Sequence, residues 1–294
     1  MTTIGKMLRA TACVVTGLAF MGSVIAKEIN LGVQAPRGAL KALKVWAEVG
    51  KYIQAETGVT VKLVPLNPAK TIAAVKAGKV DFLLSNPVLS LVAIEKHKFK
   101  PLVTRVKKFG PHFGGVIFTS KKSGIKSAND LKGKNVMAFK FKKSAAAYVF
   151  QVKHLKDKGI DAHKDFKTFR QAKKQDDIVY AVSRGVVDAG FVKTGMLESM
   201  SKEGKVKLDD FHIIDQVKDD FKQLHSTKLY PQWTVTVNPA YDAAVVEKVK
   251  AALLKLKPGH VAAKKAKIKG FVAAVSLDGL KETLKSLNLP PYNK

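Results

Sequence analysis

The feature that most constrains this chain is a motif written twice, Ala74-Val75-Lys76-Ala77-Gly78-Lys79-Val80-Asp81 and Ala181-Val182-Ser183-Arg184-Gly185-Val186-Val187-Asp188. Each copy reads as the last turn of a helix delivering a buried strand. The apolar positions before the glycine suit one helix face, and the glycine suits the left-handed residue that closes a helix. The runs Phe82 to Leu84 and Ala189 to Val192 then continue as short apolar strands. Two similar α/β units in the two halves predict two lobes with a cleft between them. Ligands of α/β proteins bind beyond the carboxyl ends of parallel strands, so the residues that end each of these strands are where a site is expected.

The amino-terminal residues bear on where such a chain works. Lys6 and Arg9 precede a stretch from Ala10 to Ile25 without a charge, and Val24-Ile25-Ala26 supplies a signal-peptidase site. The expectation is a signal peptide over 1–26, cleaved after Ala26, and a protein released into the periplasm, because the apolar stretch is short for an anchor. Cys13, the only cysteine, falls inside that segment, so the mature chain would hold no disulfide, thiolate metal site or cysteine nucleophile. The formal charge of +29 drops to +27 once Lys6 and Arg9 leave, and the lysines are spread over the predicted helices without an aromatic-interleaved stripe. In an exported chain this is a solvated basic surface whose field draws anions, and a nucleic-acid partner is not expected.

Strands and helices alternate along the chain with little linker. Glu28 to Gln34 reads as a strand, and Ala39 to Thr57 as a helix with Leu43, Trp46, Gly50 and Ile53 on one face. Thr60 to Val64 is the next strand, and Asn67 with Pro68 reads as the start of a helix. A second series begins after Ser123-Gly124: a strand at Asn135 to Phe139, a helix from Ser144 to Lys158, a strand near Phe166 to Arg170, the second motif copy, and a strand at His212 to Ile214. Leu224 to Val237 is again apolar and β-prone, and helices follow to the end. Gly114-Gly115 marks a close backbone approach. The expected organisation is lobe one from 27–120 and 225–294, lobe two from 121–224, and two crossings that form a two-stranded hinge.

Several segments together carry a family resemblance: Glu28 to Val33 with Arg37-Gly38, Val80 to Pro87, Phe113-Gly114-Gly115-Val116-Ile117-Phe118, Asp130-Leu131-Lys132-Gly133-Lys134, and His225-Ser226-Thr227-Lys228-Leu229-Tyr230-Pro231. In order and spacing they resemble the periplasmic phosphate/phosphite/phosphonate-binding (PhnD-like) family, nearest to the branch that includes periplasmic domains of tetrathionate-type sensor kinases. The resemblance runs from Glu28 to about Leu254. It implies an α/β, type 2 periplasmic-binding-protein fold whose lobes close around an oxyanion. With no kinase module before Lys294, it also implies a free-standing solute-binding protein.

The candidate ligand residues are Arg37, Ser85, Asn86, Ser144, Tyr148, Lys193, Thr194, His225, Ser226 and Thr227. Arg37, just past the first strand, suits a bidentate contact to an oxyanion. Ser85-Asn86-Pro87 ends the first motif strand, where hydroxyl and amide groups can donate to ligand oxygens or simply make a turn before proline. Lys193 and Thr194 occupy the corresponding place in the second copy, Thr194 as a donor or a helix cap. Ser144 opens a helix directly after Lys142-Lys143, as an anion contact or only as a cap. Tyr148 matches an aromatic of the family or faces the core. His225, Ser226 and Thr227 lie at the second crossing, within reach of a ligand as the cleft closes, and a histidine there would make binding pH-dependent. Two departures from the family stand out: Ala145, Ala146 and Ala147 replace a run of hydroxyl residues, and Gln175 stands where relatives carry histidine.

Enzymatic readings have little support. Asp81 and Asp188 sit at strand starts, away from the cleft, where contacts to the helix turn are expected. The seven histidines show no metal-ligand spacing, and neither Gly-x-Ser-x-Gly nor His-Glu-x-x-His occurs. The expectation is a monomeric binding protein, not an enzyme, that needs no cofactor or metal. It would capture a small oxyanion and deliver it to an ABC permease or, alternatively, report a sulfur oxyanion such as tetrathionate to a sensor kinase.

Overall fold

The computed structural model describes residues 27–293. The signal peptide expected over 1–26, with Cys13, lies outside the described residues. The first half contains β1 (Glu28–Gln34), α1 (Ala39–Thr57), β2 (Thr60–Leu66), α2 (Thr71–Lys76), β3 (Phe82–Ser85), α3 (Pro87–His97) and β4 (Lys100–Val106). The short β5 (His112–Phe113) leads to β6 (Gly115–Ser120), β7 (Asn135–Phe139), α4 (Phe150–Asp157), β8 (Thr168–Ala172), α5 (Gln175–Ser183), β9 (Ala189–Lys193), α6 (Met196–Lys202) and β10 (Phe211–Ile213). The chain returns through β11 (Tyr230–Pro231) to β12 (Thr234–Val237), α7 (Ala243–Lys255), α8 (Val261–Ala266), β13 (Gly270–Ala273) and α9 (Asp278–Ser286).

Two sheets form two lobes, and the fold is the expected type 2 periplasmic-binding-protein α/β architecture. The first sheet has the order β13-β4-β12-β3-β1-β2 and the second β10-β6-β9-β7-β8. In the first, β1 runs parallel to β2 and β3, and β12 is antiparallel to both β3 and β4, so β3 and β4 end at the same edge. In the second, β7 runs parallel to β8 and β9.

The doubled motif explains the likeness of the two lobes. Gly78 and Gly185 take φ of 63° and 70°, left-handed values at which a side chain would be strained. Lys79 N–H then reaches Ala74 O at 3.0 Å and Val186 N–H reaches Ala181 O at 2.8 Å, closing both helices in the same way. The aspartates do not contact the helix turn as expected. Asp81 Oδ2 accepts from Asn30 N at 2.7 Å and Nδ2 at 3.2 Å, and Asp188 Oδ2 accepts from Asn135 N and Nδ2 at the same two distances. Each carboxylate thus ties the start of a motif strand to its parallel neighbour, taking up an amide that the offset between the two strands leaves unpaired.

The crossing differs from the expected boundary at 120. β6 pairs antiparallel with β9 and β10, so it is a strand of the second sheet, and the crossing is the ribbon β5·β11, with Phe113 opposite Tyr230. Gly114 and Gly115 are tight there: a Cβ on Gly115 would lie 2.5 Å from the Gln151 carboxamide. The carboxyl-terminal segment is also not confined to lobe one. Leu280, Leu284 and Leu289 share one buried cluster with Leu155 and Ala162 of lobe two and with Val88 and Leu91 of α3, so α9 packs across the back of both lobes. Its Lys281 pairs with Glu95 of α3 at 2.9 Å, and Thr283 Oγ1 meets Tyr230 Oη at 2.9 Å.

Two local expectations shift. Asn67 Oδ1 accepts from Ala69 N at 2.9 Å in a turn, and the helix proper starts at Thr71 with Lys70 at its N-cap. The helix expected over 144–158 opens as a π-turn at Ala145–Val149, in which Ala146 and Ala147 leave helical φ/ψ, before α4 begins. Local widening of this kind is frequent at functional sites.

Candidate functional site

The carboxyl ends of β1, β3 and β4 face those of β7, β8 and β9, and the loops after them meet across the cleft. Asn86 Nδ2 donates to Lys143 O at 3.2 Å, and Arg37 Nη2 lies 3.4 Å from Asp176 Oδ1 in the first turn of α5. On the second wall the loop after β7 carries Lys140 and Lys142 at φ of 43° and 62°, a left-handed strain on two non-glycine residues. Such strain tends to collect at functional sites.

What distinguishes this cleft is uncompensated positive charge. Arg105, at the end of β4, is half-buried; its Nε and Nη2 both donate to Gln232 Oε1, at 3.1 and 2.9 Å, and its guanidinium lies 4.4 Å from the centre of the Trp233 ring. Lys107 follows two residues later, and Lys193 ends β9 on the other wall, also half-buried. Burial holds the Lys193 ammonium down at about 8, with the charges of Arg105 and Arg37 adding to the effect. Burial, then Arg105, Lys193 and Lys267, hold Lys107 down at about 7. Burial lowers Arg105 to about 9, which still leaves a guanidinium fully charged at neutral pH. Among the described residues none of Arg105, Lys107 and Lys193 has a carboxylate within ion-pair distance.

The ten sequence candidates divide by what their polar atoms already do. Lys193 sits in the basic cluster; its backbone N–H donates to Gln175 Oε1 at 3.0 Å and its Nζ lies 3.4 Å from Thr194 O. Ser144 is half-buried beside the Asn86–Lys143 contact, its side chain caps no helix N–H, and among the described residues its hydroxyl has no partner. Arg37 is exposed and held by Asp176.

The other seven are otherwise engaged. Ser85 is buried, with its hydroxyl 2.8 Å from Ser90 Oγ. Asn86 is the N-cap of α3, its Oδ1 accepting from Val88 N and Leu89 N, while its Nδ2 donates to Gln34 Oε1 at 3.1 Å as well as to Lys143. Tyr148 points into the core of lobe two: its hydroxyl meets His163 Nε2 at 2.6 Å, its ring stacks on Phe141 at 4.8 Å, and burial pushes its phenol up to about 12. Thr194 does not cap α6, where Gly195 takes that position; it exchanges hydrogen bonds with Gly114 of the crossing. Ser226 Oγ accepts from Ile117 N and Thr227 Oγ1 from Gly115 N, both at 2.9 Å. His225 is fully buried between Thr227 O at 2.8 Å and Asp219 Oδ1 at 3.1 Å. Ser226 and Thr227 fasten the crossing to β6, and Thr194 fastens it to Gly114, because a buried hydroxyl must pair with the nearest backbone.

Arg105 and Lys107 were missed from sequence, although the rule that singled out Ser85 and Lys193 applies to them. Arg105 interrupts the apolar run of β4 at its carboxyl end, on the same sheet edge as Ser85. Gln232 and Trp233, which orient it, come from the chain entering β12.

Known proteins share the family and the two-lobed fold of this chain. The family described as "ABC transporter, phosphonate, periplasmic substrate-binding protein" matches residues 36–278. The tetrathionate sensor histidine kinase TtrS of Salmonella typhimurium is 29% identical over 231 residues, which is 76% of this chain and 39% of the kinase, so the chain spans well under half of that relative. PhnD1 from Prochlorococcus marinus, solved with methylphosphonate, superposes with a TM-score of 0.72 at 15% identity, covering 89% of this chain and 98% of that one. A binding-protein component of an ABC phosphonate transporter from Pseudomonas aeruginosa gives 0.71 at 17% identity, covering 92% of this chain and 89% of that one.

Proposed function

Given that the chain belongs to the family of periplasmic phosphonate substrate-binding proteins of ABC transporters, we propose that it captures a small oxyanion between its lobes and presents the closed form to a membrane permease. The observation that carries this reading is the basic cluster of Arg105, Lys107 and Lys193 at facing strand ends with no carboxylate paired to it. Burying like charges together is unfavourable unless an anion joins them, and an oriented guanidinium beside an ammonium is the donor set that oxyanions take. Ser144 supplies a hydroxyl on the second wall, beside the Asn86–Lys143 contact. In this reading the protein is an exported, monomeric receptor with no catalytic group, and the segment over 1–26 is a signal peptide removed after Ala26.

The test is a thermal-shift screen of phosphate, phosphite, methylphosphonate, thiosulfate and tetrathionate against the mature protein. A bound anion at a hundredfold excess over its dissociation constant stabilises the folded state by about 2.7 kcal/mol, so at least one should raise the melting temperature by several degrees. A flat screen refutes oxyanion capture. The sensor kinase relative supports a second reading, in which the closed form reports the anion to a kinase. Deleting the gene separates the two: loss of uptake of the bound anion indicates transport, whereas intact uptake with loss of an anion-dependent transcriptional response indicates sensing.

A further inference from the structure

We propose that the outer helical layer of lobe one, built from α1, α7 and α8, docks on an anionic lipid bilayer, its unpaired lysines meeting headgroup phosphates and Leu40 entering the acyl boundary.

The three helices form one layer. Trp46 of α1, Val249 of α7 and Ala262 of α8 share a buried cluster with Ile29 and Phe82 of the first sheet, and α1 packs against both other helices. Tyr52 Oη donates to Ala252 O at 3.0 Å, and the Tyr52 and His260 rings meet edge to face at 4.8 Å, so α1 lies beside the end of α7 and the start of α8. The inward positions belong to the core, and the outward ones are left to solvent.

Once its ion pairs are set aside, that outward surface carries one sign of charge. α8 has no carboxylate, and each carboxylate on α1 and α7 is taken: Glu48 by Lys51 at 3.0 Å, Glu56 by Lys255 at 3.1 Å and Glu247 by Lys250 at 3.3 Å. Asp242, which caps α7, is taken by Lys27. Lys41, Lys44, Lys248, Lys257, Lys264 and Lys265 stay exposed, with no carboxylate at ion-pair distance among the described residues. Lobe two differs: Asp177, Asp209, Asp210 and Asp220 are exposed there and take part in no ion pair among the described residues, so free charges of both signs are mixed.

Apolar side chains stand among the unpaired lysines. Leu40 is 85% exposed and shares one stripe of α1 with Lys44, Ala47 and Lys51. Leu43, Leu254 and Val261 are exposed on the same three helices. The exposed side chains of the layer include no arginine, phenylalanine, tyrosine or tryptophan, the types that anchor protein interfaces, whereas lysine is depleted in them. Flexible point charges spread over three helices suit a fluid array of phosphates, and leucines beside them suit the boundary beneath it.

The test floats the full mature chain with vesicles of phosphatidylethanolamine and phosphatidylglycerol, and separately with vesicles of phosphatidylcholine. The expected result is binding to the anionic vesicles, weakened by added salt, and none to the neutral ones. A lysine beside an anionic bilayer contributes about fivefold, so Lys44→Gln, Lys264→Gln and Lys265→Gln together should cost about a hundredfold in affinity. Lys122→Gln, Lys132→Gln and Lys202→Gln, exposed and unpaired on lobe two, reach the same net charge and should cost about fivefold or less. Leu40→Ser should cost about threefold or more. Equal losses from the two triple variants show that net charge alone acts and overturn the proposal, as does full binding by Leu40→Ser or binding indifferent to lipid charge. Should the vesicles fail and sedimentation reveal a dimer that the α1 and α8 variant abolishes, the face belongs to a second copy and the lipid assignment falls.

Discussion

Asp81 holds Asn30 in the first lobe and Asp188 holds Asn135 in the second, at matching distances and from matching places one residue before the strand pairing begins. Two residues further on the lobes part. The first has Leu83, wholly buried with Val75, Ala93 and Phe99; the second has Gly190, where a Cβ would lie 2.6 Å from Ile178 and 2.8 Å from Phe118. Five residues past the aspartate the divergence becomes functional: Asn86 caps a helix, while Lys193 carries an unpaired charge. The repeat therefore fixes where strands start, and each lobe is free to fill its core and furnish its strand ends separately.

The largest effects should come from breaking this comparison in the cores. Leu83→Ala removes a wholly buried side chain and should destabilise by about 2–5 kcal/mol, whereas Gly190→Ala overfills its site at about 1–3 kcal/mol. Asp81→Ala and Asp188→Ala each remove a charged acceptor from a backbone N–H and should cost about 1.5–3 kcal/mol apiece, equal to within about 0.5 kcal/mol. Urea denaturation of the four variants measures all of this. If only one aspartate matters, the two locks match in geometry but not in energy.

How much could be read from the sequence follows the same division. The motif, the strand over 28–34 and the helix over 39–57 were legible because apolar periodicity and a closing glycine are local signals. The boundary at 120 was misread because β6 looks like any apolar strand; only its antiparallel pairing with β9 assigns it to lobe two. Thr194, His225, Ser226 and Thr227 were legible as polar residues near the crossing, but whether a hydroxyl faces a ligand or the backbone of β6 depends on a pairing more than a hundred residues away for Ser226 and Thr227. Arg105 was hidden for a related reason: the Gln232–Trp233 support that orients it arrives from a distant segment.

A smaller effect concerns charge on the two walls. The ammonium groups of Lys193 and Lys107 are held at about 8 and about 7 in the folded protein, below the ordinary lysine value near 10.4 in the unfolded chain. Between those values the unfolded chain binds more protons, so the penalty present below pH 7 is lifted as pH rises toward 10. The groups acting on Lys193 are Arg105, Arg37, Glu198 and Asp176, and those acting on Lys107 are Arg105, Lys193 and Lys267. Without ligand, the wild type should therefore gain more stability between pH 7 and pH 10 than Lys193→Met does, and saturating anion should flatten the difference. Parallel pH profiles for the two proteins would show that the walls do not repel one another.

The smallest expected effect lies at Arg37, and it decides where the centre of the site is. Arg37 leads from β1, has 56% of its side chain exposed and already faces Asp176 at 3.4 Å. Exposed pairs of this kind contribute between about 0 and 1 kcal/mol, so Arg37→Ala should lower anion affinity by about fivefold or less and leave the melting temperature nearly unchanged. Arg105 is half-buried, oriented by Gln232 and Trp233, and without a carboxylate, so Arg105→Gln removes a charge-assisted contact worth about 1.5–3 kcal/mol, a loss of about tenfold to a hundredfold. Should Arg37→Ala cost more affinity than Arg105→Gln, the anion binds at the end of β1, where Asp176 already balances the charge, and the unpaired cluster around β4 and β9 needs another occupant.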